Sequence, residues 1–174
     1  MIITLCGSAR FEPWFHAWNE ALSLSGHVVF GLASYPSLHS GEKNWYTHEE
    51  KQILDEVHRG KIDASHAVLF LNVMAYMGES TLNEFGYAKA QKKQILFLES
   101  WGEGYGIGGN HYQHIQDAFV RFGLKGGSPI DTSIYPAMGL WDLLPPGGAL
   151  RSGIVHRIET RVNLALGRPA NDMR

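Results

Sequence analysis

Ala67-Val-Leu-Phe-Leu-Asn-Val73, then Met77-Gly-Glu-Ser-Thr-Leu-Asn-Glu-Phe-Gly-Tyr-Ala88, then Gln94-Ile-Leu-Phe-Leu98 reads as strand, helix, strand. The outer runs are short, apolar and rich in β-formers, as strands covered on both faces are. Between them Phe85, Ala88 and Ala90 fall at helical spacing, and the Lys92-Lys93 pair suits a helix C-terminus. Thr81 and Glu84 stand three apart, so a capping box opening the helix at Thr81 is expected. Two such strands joined by a helix pair in parallel through a right-handed crossover.

The same alternation extends toward the N-terminus. Ile2–Cys6 and His27–Leu32 read as two further buried strands. Pro13–Leu24 sets Trp14, Trp18, Ala21 and Leu22 at helical spacing. Thr47-His-Glu-Glu50 opens another helix with a capping box, and the pattern turns Ile53, Leu54 and Val57 inward before Gly60 ends it. Residues 1–100 are therefore expected to form an α/β domain, an open parallel sheet flanked by helices. Residues 101–174 have a different texture. Trp101–Gly109 holds five glycines, and Gly126–Gly148 is rich in Gly and Pro. This C-terminal extension reads as loop-rich, with helices at His111–Phe122 and Ser152–Leu166, and as a lid or an oligomer contact. Ile154, Ile158 and Val162 form one apolar stripe, to be buried on the sheet or on a second subunit.

Composition narrows the function classes. With 44% hydrophobic and 18% charged residues, wholesale disorder is excluded. A net charge of -2 provides no basic field for a phosphate backbone, so no nucleic-acid polymer is expected as a partner. No apolar run approaches the roughly 18 residues of a membrane span, and Met1–Cys6 lacks the basic start and long apolar run of a secretion signal. A cytoplasmic protein without membrane partners is the expectation.

In open parallel sheets ligands bind beyond the carboxyl ends of the strands, here the segments after Cys6, Leu32, Val73 and Leu98. Gly7 permits close backbone approach, Ser8 offers a hydroxyl, and Arg10 can fork onto a phosphate or carboxylate. The same residues also suit a tight turn with a surface arginine. Asn72 ends the third strand. Gly78, Ser80 and Thr81 can form an anion site at a helix start, with Glu84 pointing toward the same crevice, or they can simply cap the helix.

Taken together, Ile3–Phe11, Val57–Ser65 and Gly78–Ala88 resemble the nucleoside 2-deoxyribosyltransferase superfamily. That superfamily includes the 2'-deoxynucleoside 5'-monophosphate N-glycosidases and a branch with the same Gly-Glu-Ser-Thr run. The resemblance covers residues 1 to about 100 and implies a Rossmann-like fold. It also implies an enzyme that cleaves the bond between a nucleobase and its sugar, by hydrolysis or by transfer to a second base, with no cofactor and no metal. Glu84 takes the place of the family's nucleophile. Gly7, Ser8, Arg10 and Ser80 match the loop and helix start that hold a 5'-phosphate, so a nucleotide is preferred over a free nucleoside. Relatives complete their sites across subunits, which implies a homo-oligomer. Two positions depart from the family pattern. Where members carry an aspartate before the third strand, this chain has His58, with Asp55 one turn earlier and Asp63 just after. His58 can donate a proton with Asp55 orienting it, or all three can be surface groups. Thr4 stands where some relatives have a tyrosine, for which Tyr76, Tyr87 or a residue of the extension can substitute. These departures keep a second function open, a nucleotide-sensing module that binds without turnover.

Other motifs carry less. Gly104-Tyr-Gly-Ile-Gly-Gly109 satisfies G-x-G-x-x-G, but it lies far from the first βαβ turn and no acidic strand end follows, so a lid or linker is expected. His111 and His114 share a helix face without a third ligand at a recognisable spacing. Trp101, Tyr105, Tyr112 and Trp141 are packing residues unless the extension folds over the crevice. Cys6 reads as a small core residue, since nothing near it in sequence lowers its pKa.

Overall fold

The computed structural model describes residues 1–35, 45–73, 76–99 and 140–167. Strands β1 (Ile2–Cys6), β2 (Val28–Phe30), β3 (Ala67–Phe70) and β4 (Gln94–Phe97) form one sheet in the order β2-β1-β3-β4. Every pair is parallel, with Ile3 beside Ala67, Cys6 beside Phe70 and Phe70 beside Phe97. Helices α1 (Glu12–Leu24), α2 (His48–Ala64), α3 (Glu79–Ala90) and α4 (Gly148–Ala165) flank it. The expected α/β class with an open parallel sheet is present. None of the described helices is long and apolar enough to cross a membrane.

Strand alternation sorts the core into two layers. Ile3, Leu5, Leu69, Leu71 and Leu96 face α1, where Phe15, Trp18 and Leu22 meet them. Cys6, Val68, Phe70 and Ile95 face the other way, onto Ile62 of α2 and Ala88 of α3. Both faces of β1 and β3 are thereby covered, which is why their sequences are continuous apolar runs. The chain leaves β1 for β2 on one side and returns to β3 on the other. This reversal opens a crevice at the carboxyl ends of β1 and β3.

Three local expectations are corrected. First, α2 does not end at Gly60. That glycine's side is open, and the helix runs on to Ala64. Thr47 caps its start as expected, with its hydroxyl accepting from the Glu50 N–H and the Glu50 carboxylate accepting from the Thr47 N–H. Ile53 and Val57 are exposed, and His58 and Ile62 are the buried residues of α2. The inward stripe lies one position off the apolar pattern because His58 takes an interior place. Second, α3 begins at Glu79, with Gly78 extended at its N-cap and the Gly78 carbonyl accepting from the Leu82 N–H at 2.8 Å. Gly78 makes no side-chain cap bond, and Thr81 is a buried residue inside the helix. A Cβ at position 78 would sit 2.9 Å from the Tyr76 hydroxyl, so any larger residue there would displace the Tyr76 ring. Glu84 is consequently more than a turn inside α3 and plays no capping role.

The third correction concerns the stripe on the last helix. Ile154 and Ile158 bury against α1 within the same chain, and Leu143, Leu144 and Val162 join that layer. Arg157 and Arg161 both reach Glu20 of α1. His27, just before β2, contacts the Leu143 carbonyl through Nε2 at 2.9 Å. Trp101–Gly109, His111–Phe122 and the side chain of Trp141 lie outside the described residues.

Candidate functional site

Three elements converge at the carboxyl edge of β1. Cys6 is its last residue, Thr4 one pleat earlier donates from its hydroxyl to the Lys61 carbonyl, and this tie draws the end of α2 onto the strand. Lys61 in turn donates to the Gly31 carbonyl beyond β2. At the other end of α3, the Tyr87 hydroxyl donates to both Asp63 carboxylate oxygens. Lys93 donates to the Asp63 and Ser65 carbonyls. These ties lock α2 and α3 side by side. The inner face of α2 presents His58 and that of α3 presents Glu84, and both meet Cys6.

The separations are short. The Cys6 Sγ lies 3.3 Å from His58 Nε2, and His58 Nε2 lies 3.7 Å from Glu84 Oε1. The side chains of His58 and Glu84 are 8% and 17% exposed. Neither His58 Nδ1 nor Glu84 Oε2 has a hydrogen-bond partner among the described residues.

Burial dominates the electrostatics. It raises the Glu84 carboxyl to about 7, assisted by the Asp55 charge and opposed by hydrogen bonds from the Cys6 thiol and the Gly7 amide and by the charge of Lys51. It lowers the His58 imidazole to about 4, with the Lys61 charge in the same direction and Asp55 opposed. It also pushes the Cys6 thiol well up, and the nearby Glu84 adds to that. At neutral pH the imidazole is therefore uncharged, and its contact with Glu84 is not an ion pair.

A cavity of about 550 Å³ opens above the cluster, lined by the loop after β1, the segment after β2, α2 and the start of α3. Its volume is in the range of small-molecule sites, about 300–1,000 Å³. Gly7, Ser8, Gly78, Ser80, Thr81, Asp55, His58 and Glu84 all border it. Gly7 has φ +151°, and a Cβ there would press on the Leu71 carbonyl at 3.1 Å, so the loop can turn at this point only with glycine.

Two predicted site residues are placed elsewhere. Arg10 is exposed on the turn Ala9–Phe11 and is not among the lining residues, though its charge lowers the Tyr76 phenol against the upward pull of burial. Asn72 is buried and closes a two-way pair with the Glu99 backbone, accepting from its N–H and donating to its carbonyl, which joins the ends of β3 and β4. Asp55 borders the cavity but pairs with Lys51 at 2.9 Å and not with His58.

Sequence reasoning missed Cys6 as a site residue and the aromatic residues Tyr35, Trp45 and Tyr46, which line the cavity together with Tyr76. A cysteine ending the first strand, followed directly by the glycine turn, was the signal for the former. Tyr87, a candidate to orient Glu84, is engaged by Asp63 instead, and the group beside Glu84 is the Cys6 thiol. No protein family, no curated protein and no solved structure matches this chain in comparison.

Proposed function

We propose that the chain is a Rossmann-like N-glycosidase or 2-deoxyribosyltransferase that cleaves the base–sugar bond of a nucleoside 5'-monophosphate or nucleoside through Glu84. The observation that carries this reading is the placement of the Glu84 carboxyl, largely desolvated, at the inner end of a cavity of about 550 Å³ beyond the carboxyl ends of β1 and β3. A carboxylate there can attack the anomeric carbon as the bond to the base breaks. The bonding pair leaves with the base, which takes a proton, and the sugar remains as a glycosyl ester on Glu84. Water or a second base then displaces the carboxylate. The Cys6 thiol and the Gly7 amide are donors to the ionised form, and both hold it in one orientation.

The surroundings suit the rest of the ligand. Ser8, Ser80 and the first amides of α3 offer donors to a phosphate or sugar hydroxyls, and a helix start favours negative charge. Tyr35, Trp45, Tyr46 and Tyr76 offer ring faces for a base. Arg10, exposed on the turn after β1 with its charge felt at Tyr76, would act on a 5'-phosphate in this reading. A homo-oligomer belongs to the same reading.

The test is base release, followed by chromatography, across a panel of nucleosides and 5'-monophosphates. Glu84→Gln should lower the rate by at least about 10³-fold, as loss of a nucleophile does. Release that survives the substitution would remove Glu84 from the role. A second reading, a nucleotide sensor, draws on the Asp55–Lys51 pair, which leaves His58 without an orienting carboxylate. Its signature would be a ligand-dependent rise in Tm with no base released from any substrate.

A further inference from the structure

Cys6, His58 and Glu84 come from three different elements, yet their Sγ, imidazole nitrogen and carboxylate oxygen all lie within 4.8 Å of one another. We propose that these three side chains bind a Zn²⁺-class cation, with the fourth position opening into the cavity. A zinc ion about 2.3 Å from sulfur and about 2.0–2.1 Å from nitrogen and oxygen, in tetrahedral array, sets its ligand atoms about 3.3–3.6 Å apart. The observed Sγ–Nε2 and Nε2–Oε1 separations of 3.3 Å and 3.7 Å lie within about 0.4 Å of that spacing. The third pair lies within 4.8 Å, so side-chain adjustments of a few tenths of an ångström, larger for the third pair, bring the ligand atoms to a metal. Three protein ligands plus one open position is also the arrangement of catalytic rather than structural zinc.

The donor set selects the metal class. A thiolate with an imidazole favours zinc and its borderline-soft neighbours, whereas magnesium and calcium take oxygen. Charge balances as well: a thiolate, a carboxylate and a neutral imidazole offset the two positive charges, and the Cys6 proton, with any proton on Glu84, passes to the buffer. Without a cation, Glu84 Oε2 is buried with no partner among the described residues, a cost that coordination would relieve.

The metal site does not depend on the glycosidase reading. One consequence joins the two: a cation held by Glu84 occupies the carboxylate that would attack the sugar, so Zn²⁺ should inhibit base release.

Binding is read without substrate. Titrating the metal-free full chain with Co²⁺ should develop, at one equivalent, the charge-transfer absorption of a cobalt–thiolate bond, and Zn²⁺ should displace it. Cys6→Ala should abolish the band. His58→Ala and Glu84→Gln should each weaken Zn²⁺ binding beyond the roughly 10–100-fold that follows loss of a mere supporting residue. Each variant is first checked for a cooperative melt, and the two cavity-side variants cover the case in which the core substitution at Cys6 fails to fold. No thiolate band in the wild-type chain, or Zn²⁺ binding unchanged in folded His58→Ala and Glu84→Gln, would overturn the proposal. A chain that binds Co²⁺ with the thiolate band but releases no base would sustain the metal site and fail the glycosidase reading alone.

Discussion

Glu84 carries its proton up to a pH of about 7, because burial disfavours the charge more than the Cys6 and Gly7 hydrogen bonds favour it. In the proposed role of nucleophile it must be ionised. Base release should therefore rise with pH through about 7 and level off above it. His58, lowered to about 4, is neutral throughout that range and should add no second inflection near neutrality. A pH–rate profile of kcat/KM checks both statements; a profile that falls as pH rises through 7 would assign Glu84 the acid's role. At this scale the position of the carboxylate was legible, since the helix after the third strand carries Glu84 toward the crevice at the strand ends. Its chemical state was not, because desolvation depends on what α2 and β1 lay over it. The same holds for His58, whose neighbours in sequence are exposed while it is buried.

At the scale of single elements, α2 owes its start to a cap and α4 owes its place to two isoleucines. Thr47→Ala removes the hydroxyl half of the capping box and leaves the backbone N–H of residue 47 to the Glu50 carboxylate, and unfolding in denaturant should show a loss of about 1 kcal/mol. No change in the midpoint would mean that the first turn of α2 is held by other contacts. Ile154→Ala should cost about 2–5 kcal/mol, as large-to-small substitutions in a packed layer do, since this residue is 1% exposed against α1. A cost near zero would show that α4 is not seated there in solution. Capping at Thr47 was legible because a capping box is local, spans only the four residues Thr47 to Glu50, and is self-contained. The start of α3 was not. Thr81 and Glu84 have the same spacing, but the helix begins earlier, at Glu79 with Gly78 as its N-cap, and no side-chain cap marks that start.

For the whole molecule, two buried groups set opposite trends in stability with pH. Glu84 has a folded pKa of about 7 against an ordinary 4.5, so its contribution is fully present below about 4.5 and is lost as pH rises to about 7. His58 has a folded pKa of about 4 against 6.5, so its contribution is present above about 6.5 and is lost as pH falls to about 4. Between these limits the two partly cancel. Glu84→Gln removes the first trend, so its stability should fall only toward acid, and the gap in favour of the variant should widen between pH 4.5 and 7. Melting temperatures at a series of pH values measure this; parallel curves for the two proteins would mean that Glu84 is not desolvated.

The alternation of strands and helices, helix positions to within a few residues and an open parallel sheet were readable in the chain, because hydrophobic period, capping and the length of apolar runs are local properties. The meeting of Cys6, His58 and Glu84 was not, since 52 residues separate the first two and no spacing rule spans that distance. It depends on the parallel register of β1 with β3 and on the ties that fix α2 and α3 against them. The destination of the α4 stripe was likewise undetermined. An apolar face records that it must be buried, and only the packed molecule shows that α1 of the same chain covers it.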